Sequence, residues 1–127
     1  MEKIAKRILV VDDEADILMM VSARLKANGY EVTTAETGEE ALVKVQRDKP
    51  DLVVLDLILP GINGYEVCTK LKYDLKFAGP VIMLTARIRG IDVQLGYKCG
   101  ASTYITKPFF ADRLISEIER LLQKVSV

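Results

Sequence analysis

The chain has 127 residues, enough for one domain with a sizeable core; half of them are apolar and 28% are charged. Lys and Arg together number 18, as do Asp and Glu, so no net basic field recruits nucleic acid or anionic lipid. The apolar runs are short and broken by charge or proline, which argues against a bilayer span, and "MEKIAKR" lacks the apolar stretch of a signal peptide.

Along the chain, short β-branched runs alternate with helical patterns. "ILVV" (Ile8 to Val11) is a continuous apolar run, as expected of a parallel strand buried on both faces. From Glu14 to Asn28, Ile17, Leu18, Val21 and Leu25 recur at helical spacing, and Gly29 supplies the stop. "YEVTTA" alternates and reads as a strand near an edge. Thr37 and Glu40 have the spacing of a capping box, opening a helix that carries Ala41, Leu42 and Val45 until Lys49-Pro50 breaks it. "DLVVLD" is the third strand. After the "LPGING" loop, whose Pro60 and Gly64 read as turn residues, Tyr65, Val67, Cys68 and Leu71 mark an amphipathic helix. "PVIMLTA" is the fourth strand, Ile91 to Cys99 a short helix ended by Gly100, and "STYITK" the fifth strand. Asp112 to Lys124 is the last helix, with Leu114, Ile118, Leu121 and Leu122 inward.

Five βα units without a hairpin signal predict a doubly wound, flavodoxin-like parallel sheet in the strand order 2-1-3-4-5, one domain over residues 1–127. Cys68 and Cys99 show no metal-ligand or CxxC spacing and read as reduced thiols on helices, a pattern suited to the cytoplasm. The chain has no histidine, so any phosphohistidine must come from a partner.

Such a sheet binds its ligand beyond the carboxyl ends of its strands, where the strand order reverses. The residues just past the apolar runs are Asp12 and Asp13 after the first strand, Asp56 after the third, Thr85 after the fourth and Lys107 after the fifth. With the first and third strands adjacent, three carboxylates converge, and like charges that close repel unless a cation joins them. A hard divalent ion held by carboxylates and water, with room for phosphate oxygens, describes a Mg²⁺ site. Lys107 adds a fixed cation and Thr85 a hydroxyl donor. These parts suit transfer of a phosphoryl group to a carboxylate.

The segments "VDDE", "LVVLDLILPGINGYE", "VIMLTA" and "GASTYITKPF" together resemble those of response-regulator receiver domains, in order and spacing, and the likeness spans essentially the whole chain. The resemblance implies that Asp56 is the phosphoacceptor. It implies that Asp13 binds Mg²⁺ directly, Asp12 mainly through water, and that the backbone carbonyl of Ile58 completes the protein ligands. Lys107 would pair with the phosphoryl oxygens, Thr85 would move toward them, and Tyr104 would turn inward into the vacated space. Lys107-Pro108 would be a cis peptide. The donor would be a sensor histidine kinase or a phosphotransfer protein. The responding face would comprise the helix over 91–99, the fifth strand and the last helix. It would act on a downstream protein or a linked output domain, with a phosphorylation-linked dimer as one form of response.

Taken singly, each residue has a plainer role: helix caps for Asp12 and Asp13, a core-edge hydroxyl for Thr85, a half-buried strand aromatic for Tyr104, a solvated lysine for Lys107. An enzyme alternative, a phosphatase of the haloacid-dehalogenase type, needs a second Asp two residues past the nucleophile, where this chain has Ile58. Several positions depart from the receiver pattern. Bulky Ile58 and Arg87 should border the phosphoryl group and slow self-dephosphorylation. Phe110 stands where a helix cap is common and is expected to pack against its own helix, the alternative being that it adds to the responding face. Arg87, Arg89 and Lys98, opposed by Asp92, make that region locally basic, and Ser102-Thr103 replaces acidic residues.

Overall fold

The computed structural model describes residues 5–86 and 98–123. The helix expected over 91–99 lies outside the described residues except for Lys98 and Cys99, as do Arg87, Arg89, Asp92 and the end of the last helix at Lys124. The strands are β1 (Arg7–Val11), β2 (Glu31–Ala35), β3 (Leu52–Asp56), β4 (Val81–Thr85) and β5 (Thr103–Thr106). They pair in parallel in the order β2-β1-β3-β4-β5, so the alternating "YEVTTA" run is indeed an edge strand.

The helices are α1 (Ala15–Ala27), α2 (Gly38–Asp48), α3 (Gly64–Thr69) and α4 (Ala111–Gln123). Successive strand residues point to opposite faces, so each apolar run serves two cores. Leu9, Val11, Val53, Leu55, Val81 and Met83 pack against α2 and α3 through Ala41, Val45, Val67, Cys68 and Leu71. Ile8, Val10, Leu52, Val54, Ile82 and Leu84 pack against α1 and α4 through Leu18, Val21, Leu25, Leu114 and Ile118. Double coverage explains why β1 and β3 lack polar alternation.

The ends of the elements largely follow local chemistry. Gly29, at φ +91°, follows the last turn of α1. Thr37 accepts the Glu40 N–H at 3.1 Å, as a capping box requires, but the Glu40 carboxylate reaches back to the Glu36 N–H (2.8 Å) rather than to Thr37. Asn63 caps α3 through the Glu66 N–H at 3.0 Å.

Two expectations need correction. Gly64 is more than a turn residue: a methyl there would lie 2.5 Å from the Asp56 carbonyl oxygen and 2.7 Å from Leu57 Cα. The first turn of α3 therefore rides directly on the end of β3, and only glycine permits that approach. Phe110 does not pack against its own helix. It is 87% exposed, just ahead of α4, and its carbonyl accepts the Arg113 N–H at 3.0 Å. A further feature has no local sequence signal: α3 continues as one π-helical turn over Lys70–Asp74. There the Tyr73 hydroxyl donates to the Lys98 carbonyl at 3.0 Å, a tertiary contact invisible to periodicity.

Candidate functional site

The carboxyl ends of β1 and β3 bring Asp12 and Asp56 to one edge of the sheet, both buried. The exposed Asp13 and Glu14 follow β1 directly, and the four residues offer carboxylate oxygens within 4.8 Å of one another. Lys107, one residue past β5, reaches into this group. Its Nζ lies 2.9 Å from Asp12 Oδ2, 3.1 Å from Glu14 Oε1 and 3.2 Å from Asp56 Oδ2. The Lys107 N–H donates to the Thr85 carbonyl at 2.7 Å, which fixes the start of the lysine's path. Lys107-Pro108 is cis.

Asp12 is not a helix cap in the usual sense. Its Oδ1 accepts the N–H of Glu14 at 2.9 Å, a local turn ahead of α1, while its Oδ2 faces Lys107. Asp56 Oδ1 accepts the Ile58 N–H at 3.2 Å and Oδ2 accepts from Lys107. The Ile58 side chain is 68% exposed beside it. Thr85 ends β4 at the same edge and is buried, in register with Thr106. Tyr104 is set apart from the carboxylates. It is already buried in the apolar layer beneath α3, where its hydroxyl is hydrogen-bonded to Tyr65.

Glu14 is the site residue that reasoning from sequence missed. It sits in the quoted "VDDE" run but reads as the start of a helix. It does stand at the N-cap position of α1, yet its side chain makes no capping bond and turns to Lys107 instead.

The electrostatics are unbalanced. Burial and the neighbouring Asp12 charge push Asp56 up to about 6, against the opposing pull of Lys107 and the Ile58 N–H. Burial works against the Lys107 ammonium, but the hydrogen bond to Asp12, the Asp56 and Asp12 charges and the bond to Glu14 outweigh it, holding its pKa above the ordinary lysine value. Among the described residues, one ammonium thus pairs with three of four clustered carboxylates. Oxygens around an octahedral Mg²⁺ stand roughly 3–4 Å apart, so a group within 4.8 Å fits such an ion with small adjustment. The arrangement sets a buried carboxylate beside other carboxylates that could hold a cation, with a fixed positive charge at hand. Cavity size does not mark it: a hollow of about 560 Å³ lies at the opposite edge of the sheet, between Val45, Pro50, Phe77, Pro80 and Leu122.

The sequence profile of the response regulator receiver domain family matches residues 8–119. This chain belongs to that family. The receiver is 43% identical over 122 residues to the alkaline phosphatase synthesis transcriptional regulatory protein PhoP of Bacillus subtilis, covering 96% of this chain and 50% of that protein. It is 40% identical over 124 residues to the DNA-binding response regulator MtrA of Mycobacterium tuberculosis, covering 98% of this chain and 54% of that protein. The receiver therefore spans about half the length of these curated relatives. Its fold superposes with a TM-score of 0.91 on a CheY-like receiver domain protein of Methanospirillum hungatei, at 32% identity, covering 95% of this chain and 96% of that one. Among the described residues of this receiver, no helix is long and apolar enough to cross a membrane.

Proposed function

We propose that this receiver takes a phosphoryl group onto Asp56 from a phosphohistidine of a sensor kinase or phosphotransfer protein, and that residues 1–127 act as one switching unit. The observation that carries the reading is the convergence of Asp12, Asp13 and Asp56 around an edge that also holds Lys107. A carboxylate oxygen of Asp56 attacks phosphorus, and the histidine nitrogen of the donor leaves with the bonding pair. Asp12, Asp13, Asp56 and the Ile58 carbonyl would hold Mg²⁺. That ion would supply charge neutralisation for the carboxylates and the incoming phosphoryl oxygens. Lys107 already bridges Asp12 and Asp56, so a small shift of its ammonium pairs it with a phosphoryl oxygen.

The added charge then draws Thr85 inward, and Tyr104 is the second element of the switch. In this reading Tyr104 is held inward by Tyr65 before any phosphate arrives, so the phosphoryl group would set how long it stays there rather than move it from solvent. The output is a change in binding by the face that includes β5 and α4, directed at a linked output domain, a separate protein or a second receiver. The names of PhoP and MtrA, as transcriptional and DNA-binding regulators, favour a linked output domain. The receiver itself carries no net charge with which to bind nucleic acid directly.

The test is labelling by a small-molecule phosphodonor with Mg²⁺, followed by mapping of the acid-labile phosphate. The wild-type chain should carry one phosphoryl group on Asp56, and Asp56→Asn should carry none. Equal labelling of the variant would overturn the assignment.

A further inference from the structure

Cys68 and Cys99 take no part in the phosphoryl site. Both are buried, one on α3 and the other directly before Gly100, on the approach to β5. Although they are far apart in sequence, the Cys68 thiol donates to the Cys99 carbonyl at 3.3 Å, and the two sulfurs lie within hydrogen-bonding reach of one another. Neighbouring contacts keep them in place. Tyr73 holds the Lys98 carbonyl, and Gly100, at φ +99°, presses so close to Lys72 that a methyl there would lie 2.7 Å from Lys72 Cγ. The Lys72 ammonium in turn donates to the carbonyls of Phe77 and Gly79. Two buried thiols are therefore held near one another between separate elements of the chain, with no disulfide joining them.

We propose that Cys68 and Cys99 are a site of reversible covalent modification, at which hydrogen peroxide converts the two thiols to a disulfide that ties α3 to the approach to β5. The two sulfurs play different parts. The Cys68 S–H is held by the Cys99 carbonyl, whereas backbone N–H groups and the Lys72 charge near the Cys99 sulfur favour its thiolate. The Cys99 thiolate attacks a peroxide oxygen, the O–O bond breaks, and hydroxide leaves and takes up a proton as water. The Cys68 sulfur then attacks the resulting sulfenic sulfur while its proton goes to the departing hydroxide. The S–O bond breaks, the S–S bond forms and a second water is released. The thiols lose two electrons and the peroxide gains them. Burial makes the reaction slow, because the oxidant enters when the Lys98–Gly100 stretch opens locally.

The cross-link lies one helical turn from Tyr65, the partner of Tyr104, so the oxidised chain would resist separation of α3 from β5. None of this depends on phosphorylation of Asp56, so failure here and failure of the receiver reading are separate events. The test treats the intact, folded chain with millimolar hydrogen peroxide, blocks the remaining thiols and maps peptides without reduction. The expected product is a single chain with Cys68 joined to Cys99, reversed by dithiothreitol. Amide hydrogen exchange over Ser102 to Tyr104 should be about tenfold slower in the oxidised form. In Cys68→Ala, Cys99 should gain oxygen without a cross-link. Should that variant fail to fold, Cys99→Ala should leave Cys68 unoxidised under the same peroxide treatment, and oxygen gained by Cys68 there as fast as by the wild-type thiols would overturn the proposal. Oxygen added to wild-type cysteines without a link, a link only between chains, reaction only after denaturation, or unchanged exchange would each overturn the proposal.

Discussion

At the amino edge of the sheet, Arg7 meets its acidic and carbonyl neighbours in the open. Its N–H donates to Asp51 Oδ2 at 2.8 Å, its Nε pairs with Glu31 at 3.1 Å, and its Nη1 donates to the Asp48 carbonyl at 2.9 Å. The Arg7 and Glu31 side chains are 56% and 62% exposed, so water carries most of the solvation. At the carboxyl edge, Lys107 is only 14% exposed, and two of the carboxylates that it faces are buried. Both edges end the same five strands. One edge is built as an ordinary protein surface. The other holds like charges together where water cannot separate them, an arrangement that stability alone would not select.

That contrast can be broken most severely at Lys107. Lys107→Met removes the cation between Asp12 and Asp56 and should cost the metal-free chain on the order of 3 kcal/mol in urea unfolding. A cost no greater than that of an exposed ion pair would dissolve the distinction between the edges. Asp56→Asn should act in the opposite sense, stabilising the metal-free chain by on the order of 1–2 kcal/mol near pH 7. The folded-state pKa of Asp56 is raised to about 6, so the stability associated with its protonated form is present at low pH and lost as pH rises through that value. As pH falls toward 5, Asp56 in the folded chain takes up its proton and the gain from the variant should shrink, vanishing only below about pH 4, where the unfolded carboxylate is protonated as well. A gain that persists unchanged at pH 5 would contradict the electrostatic origin.

A smaller effect concerns the lifetime of the phosphoryl group. Ile58, exposed beside Asp56, should hinder the hydrolytic water, so Ile58→Asn should shorten the phosphoprotein half-life severalfold. Timed loss of label reads this directly, and an unchanged or longer half-life would remove Ile58 from the argument. Smallest of all, Arg7→Met at the amino edge should change stability by about 1 kcal/mol or less, because its ion pair is solvated. The same urea series measures it.

The strands were legible because a sheet covered on both faces needs unbroken apolar runs, and "ILVV", "LVVL" and "VIML" supply them. Lys107 and Asp12 lie far apart in the chain, yet their meeting followed from the strand order, since residues that end parallel strands share an edge. What stayed hidden depends on contacts made only after folding. Nothing in "VDDE" says that Glu14 leaves its capping role for Lys107. Nothing in "KLKYD" announces a π turn that the Tyr73–Lys98 bond accompanies. Gly64 looked like a turn residue because local sequence carries no sign of the backbone of β3 lying 2.5 Å from its missing side chain. Phe110 was expected to find cover because aromatics usually do, yet it stands exposed just ahead of the last helix.

The most direct test of the account is a calorimetric Mg²⁺ titration of the purified chain, run in parallel on Asp56→Asn. If the carboxyl edge keeps its acidic groups crowded in order to receive a divalent ion, the wild-type chain should bind one equivalent saturably and the variant should bind it about tenfold more weakly. Absence of saturable binding to the wild type, or equal affinity in the variant, would contradict it.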